Sequence, residues 1–246
     1  MLKKYISKKR IITGIAAIMI AFASYKIIYT NHLLSKYNDK VDQYNEVLEE
    51  YNNVSEDIKS HDLAAAEKKY LSVENVISCE NLKEEMDALE YVKNEMKSEI
   101  AISDQINNPT VKWVDSALEN VEGITGTQAV TKNDNPDGLL NKEQGYIGCL
   151  YFTVKDIDQS KVRGKSIVDK GTDAGGAIEI YETREDAEAR DEYLSDFDND
   201  STLDSGSHIV LGKMVIRTSY KLDGKKQIEL SSAIIDQLTV LNENQL

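Results

Sequence analysis

The chain has 246 residues, with 29 Lys and Arg against 43 Asp and Glu and a net charge of −14. That length holds one good-sized domain plus further segments. Its two prolines exclude a Pro-rich linker, and so acidic a chain repels nucleic-acid phosphates. The acidity is uneven. Lys3, Lys4, Lys8, Lys9 and Arg10 open the chain with no acid among them, so the remaining residues are more acidic still and suit water, cations or basic partners.

The basic decapeptide precedes IITGIAAIMIAFASYKIIYT, residues 11–30. A membrane-spanning helix needs about 20 apolar residues. Lys26 can snorkel to the far interface beside Tyr25 and Tyr29. Positive charge upstream of the apolar run predicts a single-pass anchor over residues 11–29, with the N-terminus in the cytoplasm and the body outside. A cleaved signal peptide is the competing reading: Ala21-Phe22-Ala23 before Ser24 has the small-x-small form, although apolar residues continue at Ile27 and Ile28. Either reading exports the body.

Residues 31–106 predict a helical stalk or small bundle. Leu34, Tyr37, Val41, Tyr44, Leu48, Tyr51 and Ile58 follow alternating spacings of three and four, with Ser55 in the missing position. That seam suits self-association as a weak coiled coil, or packing on its own chain as one arm of a helical hairpin. Ser60-His61-Asp62 predicts a break, with Asp62 capping a second helix over LAAAEKKYLSVENVI. Ser78 caps a third, whose stripe is Leu82, Met86, Leu89, Val92, Met96 and Ile100.

Asn107-Asn108-Pro109 marks the boundary of a third segment, 107–246, after segments 1–30 and 31–106. Asn108 is placed to cap a helix with Pro109 at its first position, ending at Gly123. Strands are predicted at 124–130, an edge, and at 146–154, 177–183 and 208–218. In the last, Ile209 and Leu211 have the opposite parity to Met214 and Ile216, which a bulge at Gly212-Lys213 reconciles. A final helix starts near Lys225 and buries Ile228, Ile234, Ile235, Leu238 and Leu241. The order predicts an α+β domain: a mostly antiparallel sheet with helices on one face, nearest to a ferredoxin-like sandwich.

Four stretches invite chemistry. Gly171, Gly175 and Gly176 surround Thr172 and Asp173, but they lead into a strand and no Gly-Lys-Ser/Thr follows, so a turn or close backbone packing explains them better than a phosphate loop. Asn133, Asn135 and Asp137 match positions 1, 3 and 5 of a calcium loop with Gly138 at 6, but Gln144 replaces the expected acid, and Pro-Asp-Gly is a turn signal in its own right. Asp196, Asp198, Asp200 and Asp204 form an acidic loop that suits a weakly held cation or plain solvation. His208, with Asp173 and either Ser207 or Cys149, can be written as a hydrolase triad, but no GxSxG elbow accompanies it. Cys79 and Cys149 lack metal-site spacing; outside a cell they can stay free or pair.

The set NPDGLLNKEQGYIGCLYF, GTDAGGAIEIYETREDAEARDEYLSDFD, SGSHIVLGKMVIRTS and QIELSSAII, within residues 110–241, resembles a recurrent uncharacterised domain of exported and membrane-anchored proteins of Gram-positive bacteria. The resemblance implies an envelope location and carries no catalytic residue with it. The expectation is a membrane-anchored envelope protein that displays an acidic α+β domain for binding or scaffolding, without assigned catalysis or cofactor. Contacts to an unknown envelope partner are expected at Thr172, Asp173, Asp196, Asp198, Asp200 and His208. The alternatives are an envelope hydrolase using His208 and a calcium-dependent binding module.

Overall fold

A computed structural model describes residues 2–55, 58–59, 63, 65–76, 78–198 and 206–241, with side chains from Ala17 onward and not at 197–198. The chain is α+β and divides into two compact units, Met1–Ile100 and Ala101–Leu246.

The first unit is built on one helix, α1 (Leu2–Tyr51), so the expected anchor and the start of the stalk are continuous. Among the described residues no helix is long and apolar enough to cross a membrane. The opening of the expected span, residues 11–16, lies outside the described side chains. From Leu33 onward α1 buries Leu34, Tyr37, Val41, Tyr44, Leu48 and Tyr51. Tyr37, Val41, Tyr44, Leu48 and Tyr51 pack, together with Leu33, against Leu82, Met86, Leu89 and Met96 of α2 (Cys79–Asn107), so the heptad stripe from Tyr37 to Tyr51 is satisfied within the chain. Ser78 accepts from the Asn81 N–H at 3.1 Å and caps α2 as expected.

The two helices run parallel, not as a hairpin. Thr30 meets Cys79, Lys40 meets Glu90 and Tyr51 meets Glu99, a nearly constant offset of 48–50 residues. A parallel pair needs a connection that travels back along its full length. Residues 65–72 supply it without helix, followed by one 3₁₀ turn at Val73–Asn75, where the sequence predicts a second helix. Asn38 and Asn45 bond the backbone of this segment and replace the bonds a helix would make. Ser60, His61 and Asp62 lie outside the described residues.

In the second unit, α3 (Val111–Leu118) is capped by Thr110, which accepts from Trp113 N–H at 3.2 Å, and not by Asn108. Asn108 instead closes α2, with its backbone N–H and its side-chain Nδ2–H both donating to the Asp104 carbonyl at 3.0 Å, and the next hydroxyl starts α3. The sheet then forms from β1 (Ile124–Ala129), β2 (Gly148–Val154), β3 (Gly175–Ile180), β4 (His208–Leu211) and β5 (Met214–Thr218), in the order β1-β2-β3-β5-β4 with every neighbouring pair antiparallel. The short helix α4 (Ile167–Lys170) precedes β3, and α5 (Arg184–Asp198) joins β3 to β4. Thr183 caps α5 by accepting from Asp186 N–H at 3.1 Å. β3 and β4 both oppose β5, so they are mutually parallel and α5 is a crossover between them.

This is one split β-α-β unit beside a meander. The ferredoxin-like arrangement has two such units. Helices also cover both faces, not one. Leu150, Ile178, Ile180, Met214 and Ile216 share a face by register and lie buried under α3 and α6 (Gly224–Leu238). Cys149, Tyr151, Ala177 and Val215 face the other way, against Ala187 and Leu194 of α5 and Val168 of α4. Each fully buried large side chain contributes about 1.5–3 kcal/mol. In α6, Ile234 and Leu238 are buried as expected, but Ile228 is 67% exposed and Ser231 takes the inward position.

The parity change in 208–218 comes from a hairpin and not from a bulge. Gly212-Lys213 form a two-residue turn that pairs Leu211 with Met214 and Ile209 with Ile216, which puts all four on one face. Gly212 has φ +56°, and a Cβ there would lie 2.4 Å from the Ile106 carbonyl oxygen. Gly212→Ala is therefore expected to destabilise the second unit by at least about 1 kcal/mol, read by urea unfolding. In the first unit, hydrogen bonds from Lys40 and Lys93 hold the Glu90 carboxyl down to about 2. A lowered carboxyl stabilises the fold above its ordinary value of 4.5 and loses that contribution as pH falls toward 2. Glu90→Gln is expected to flatten the pH dependence of thermal unfolding across that window, followed by circular dichroism.

Candidate functional site

β3 alternates. Ile178 and Ile180 enter the core beneath α3 and α6, so Glu179 is forced to the α5 face, opposite Cys149 on β2 and Val215 on β5. A carboxylate without solvent must be paired. Glu179 is fully buried and receives Arg190 from α5, with Nε at 2.9 Å and Nη2 at 3.2 Å, Arg217 Nη1 from β5 at 2.7 Å, and the Tyr181 hydroxyl at 2.8 Å. Burial alone pushes the Glu179 carboxyl up; the two guanidinium groups outweigh it and hold the carboxyl below its ordinary value. The Nε of Arg217 is buried without a hydrogen-bond partner among the described residues.

One residue beyond Arg190, Asp191 meets His208: Asp191 Oδ1 and His208 Nδ1 are 2.6 Å apart. His208 itself stands opposite Arg217 in the β4–β5 register. A charged layer therefore runs from β3 through β5 to β4 under α5. Around it stand neutral groups. Burial, reinforced by Glu179, pushes the Cys149 thiol well above its ordinary value. Burial likewise raises the phenols of Tyr146, Tyr151 and Tyr181. The cluster holds a fixed pattern of charge and offers no ready thiolate or phenolate.

The expected site residues are dispersed. Asp173 lies in the turn Gly171–Ala174 with Thr172 and pairs with Lys221 at 3.0 Å. Cys149 is on β2, three strand positions from β4, or about 14 Å. Ser207 directly precedes His208 on extended chain, where neighbouring side chains point to opposite sides, and its carbonyl accepts from Thr218 N–H. The triad of His208 with Asp173 and either nucleophile is not assembled, and Asp191 holds the imidazole instead. No signal in the sequence marks Asp191, because only the return of α5 over the sheet brings it to β4.

Asp137 is occupied as a turn residue: it accepts from the Tyr146 hydroxyl at 2.7 Å and from Leu139 N–H at 3.1 Å. Asn135 accepts weakly from the same hydroxyl at 3.4 Å, and Asn133 lies in the turn closed by the Thr131–Asp134 bridge. Asp196 is exposed near the end of α5, Asp198 is its last residue, and Asp200 and Asp204 lie outside the described residues. Among the described residues no group of three or more His, Cys, Asp or Glu is placed to hold a metal ion. Cys79 and Cys149 are both free thiols. No family model, no curated protein and no solved structure matches the chain.

Removing one member of a buried ion cluster leaves the others unpaired, which costs about 3–5 kcal/mol. Glu179→Ala is expected to destabilise the second unit by that amount, measured by urea unfolding through Trp113, the only tryptophan. Replacing the whole cluster (Glu179→Leu with Arg190→Met and Arg217→Met) is expected to recover most of the loss. No recovery in the triple variant would show that the charges carry more than their own pairing.

Proposed function

We propose that this chain is a membrane-anchored envelope protein. Its basic tail stays in the cytoplasm, and its acidic α+β unit stands outside the cell as a non-enzymatic binding or scaffolding module. The observation that carries this reading is the surface of α1 between Ala17 and Ile28. Ile18, Met19, Ile20, Phe22, Tyr25, Ile27 and Ile28 are each more than 60% exposed. They follow one another around the whole helix and not along one stripe. A helix that is apolar all round belongs in lipid or in a protein core. Packing of the same helix begins only at Tyr29 and Thr30, beyond this apolar stretch. The apolar run starts upstream at Ile11, behind five basic residues, which favours insertion with the N-terminus inside. The resemblance of residues 110–241 to domains of exported Gram-positive proteins points to the same compartment.

The non-catalytic part rests on the dispersal of the candidate triad and on the neutral, buried state of Cys149. For cysteine labelling, a new thiol is needed in the second unit, because Cys149 is buried. Lys225, whose side chain is 84% exposed, provides the position. In a Cys79→Ser background, Lys225→Cys is expected to react with a membrane-impermeant maleimide on intact cells, and the protein to remain in carbonate-washed membranes. Adding Ile18→Arg and Ile20→Arg, each costing about 2.5–3.5 kcal/mol in a bilayer, is expected to release it. Labelling that requires lysis would refute the outside placement.

A further inference from the structure

Residues 65–76 form a strap along the first unit, and the way it is held is unusual. Asn38 and Leu71 exchange two hydrogen bonds: Leu71 N–H donates to Asn38 Oδ1 at 3.0 Å, and Asn38 Nδ2–H donates to the Leu71 carbonyl at 3.2 Å. Asn45 does the same with Lys68, at 3.0 Å and 2.8 Å. Each amide thus reads one residue's backbone and no side chain. The spacing has a geometric reason. Seven residues of α-helix rise about 10.5 Å. Three residues of extended chain cover about 10 Å. An asparagine once per heptad therefore meets every third residue of an extended chain running antiparallel to α1.

The ladder is longer than the strap's use of it. Asn31, Asn38, Asn45 and Asn52 stand at four positions separated by three successive seven-residue steps. Continuing the pattern puts Asn31 level with Glu74 and Asn52 level with Ala65. The strap leaves the ladder at both ends: Glu74 sits in the 3₁₀ turn, and Ala65 N–H is spent on the Leu63 carbonyl. Asn31 and Asn52 are exposed and make no side-chain hydrogen bond among the described residues. The strap also fills the groove poorly. Only Ala65, Leu71 and Val76, with Leu63 just before them, pack on the core cluster, whereas Tyr70 and Val73 are 62% and 54% exposed. Beside Lys68 a half-open groove of about 350 Å³ remains, lined by Tyr37, Tyr44, Glu85, Leu89 and Val92.

We propose that the α1–α2 groove is a binding site for an extended polypeptide segment of a partner protein, and that the strap is its occupant in cis. The ligand is an extended chain with free backbone N–H groups at every third residue, hence no proline there. It carries a large apolar side chain at or next to the residue clamped by Asn45, where the strap offers Lys68 beside the unfilled space. A foreign segment is favoured over the strap of a second copy because that strap would again leave Asn31, Asn52 and that space unused. The groove belongs to the first unit alone and stands whether or not α1 enters a bilayer.

The test uses the full-length chain in nanodiscs and two fluorescein-labelled peptides, followed by anisotropy. One peptide has the sequence of residues 63–76, and the other has the same sequence with Lys68→Phe. The Phe peptide is expected to bind the wild-type chain weakly, because the strap competes, and more tightly than the unaltered peptide. In the chain, Lys68→Pro with Leu71→Pro removes both clamped N–H groups and is expected to tighten peptide binding at least about tenfold. Adding Asn38→Ala and Asn45→Ala is expected to abolish the gain. Should the proline variant lose helicity, Asn38→Ala with Asn45→Ala in the otherwise unaltered chain decides: it frees the groove of its competing strap, yet it is expected to weaken binding of the Phe peptide several-fold. The proposal is overturned if peptide affinity ignores the asparagines, or if the Phe peptide binds no better. It is equally overturned if loosening the strap yields concentration-dependent dimers without peptide binding, which would make the second copy the occupant.

Discussion

The second unit depends on where α5 sits, and α5 is fixed chiefly by the buried carboxylate of Glu179. A crossover helix must choose a rotation and a height over its sheet, and it usually does so with a broad apolar stripe. α5 has little of one: Ala187 and Leu194 reach the core, and most of the rest is charged. The fork of Arg190 on Glu179 does the positioning instead. A bidentate guanidinium–carboxylate pair tolerates little change in angle or distance. Once Arg190 is seated, Asp191 is carried to His208 on the far strand. The two contacts lie one residue apart, so β3 and β4 are tied to the same turn of α5 across the inserted β5. Buried ions of this kind add less to stability than their contacts suggest; what they add here is a single allowed placement.

The first unit uses the same device. Two amphipathic helices with tyrosine-rich seams can slide by a heptad at modest cost, because each seam position accepts another bulky residue. Lys40 and Lys93 converge on Glu90, and Lys93 also meets Gln43 at 3.4 Å. A slip by one heptad would strand a nearly buried ammonium. The Tyr51 hydroxyl on Glu99, at 2.7 Å, marks the same register two turns on. A parallel register fixed in this way obliges the chain to return, and the long connection between the helices follows from that obligation.

The long periodic elements were legible: the α1 seam, the α2 stripe with its Ser78 cap, and β2 and β3 all rest on local pattern and side-chain chemistry. What escaped has one physical character, since each feature is decided by residues distant in sequence. The strap reads as a helix because Leu63, Tyr70 and Leu71 sit among good helix formers, and the asparagines that hold it extended lie 23–33 residues earlier. Glu179 within AIEI reads as a solvent-facing strand position; only Arg190 and Arg217, 11 and 38 residues away, make it an interior one. The parity change at Gly212 is equally consistent with a bulge and a turn until the pairing partner is known. Of the candidate site, His208 was visible as the histidine of the α+β unit. Its partner Asp191 was one acid among many on a polar helix.

The glycine cluster before β3 connects these points. Gly176 pairs with Phe152 on one side and Thr218 on the other. A Cβ there would lie 2.1 Å from the Arg217 carbonyl oxygen and 2.4 Å from the Phe152 ring. The residue is glycine because both neighbouring strands close on it, and not because a ligand approaches from outside. That close approach places the Arg217 backbone against β3, and from there its guanidinium reaches Glu179, three residues beyond Gly176. A side chain at 176 would push β5 outward, lengthen the Arg217–Glu179 contact and leave the carboxylate to Arg190 alone. Of the glycines that invite a phosphate-loop reading, Gly171 serves a turn at φ +61°, while Gly176 acts inward, as the steric condition for the ion cluster that seats α5.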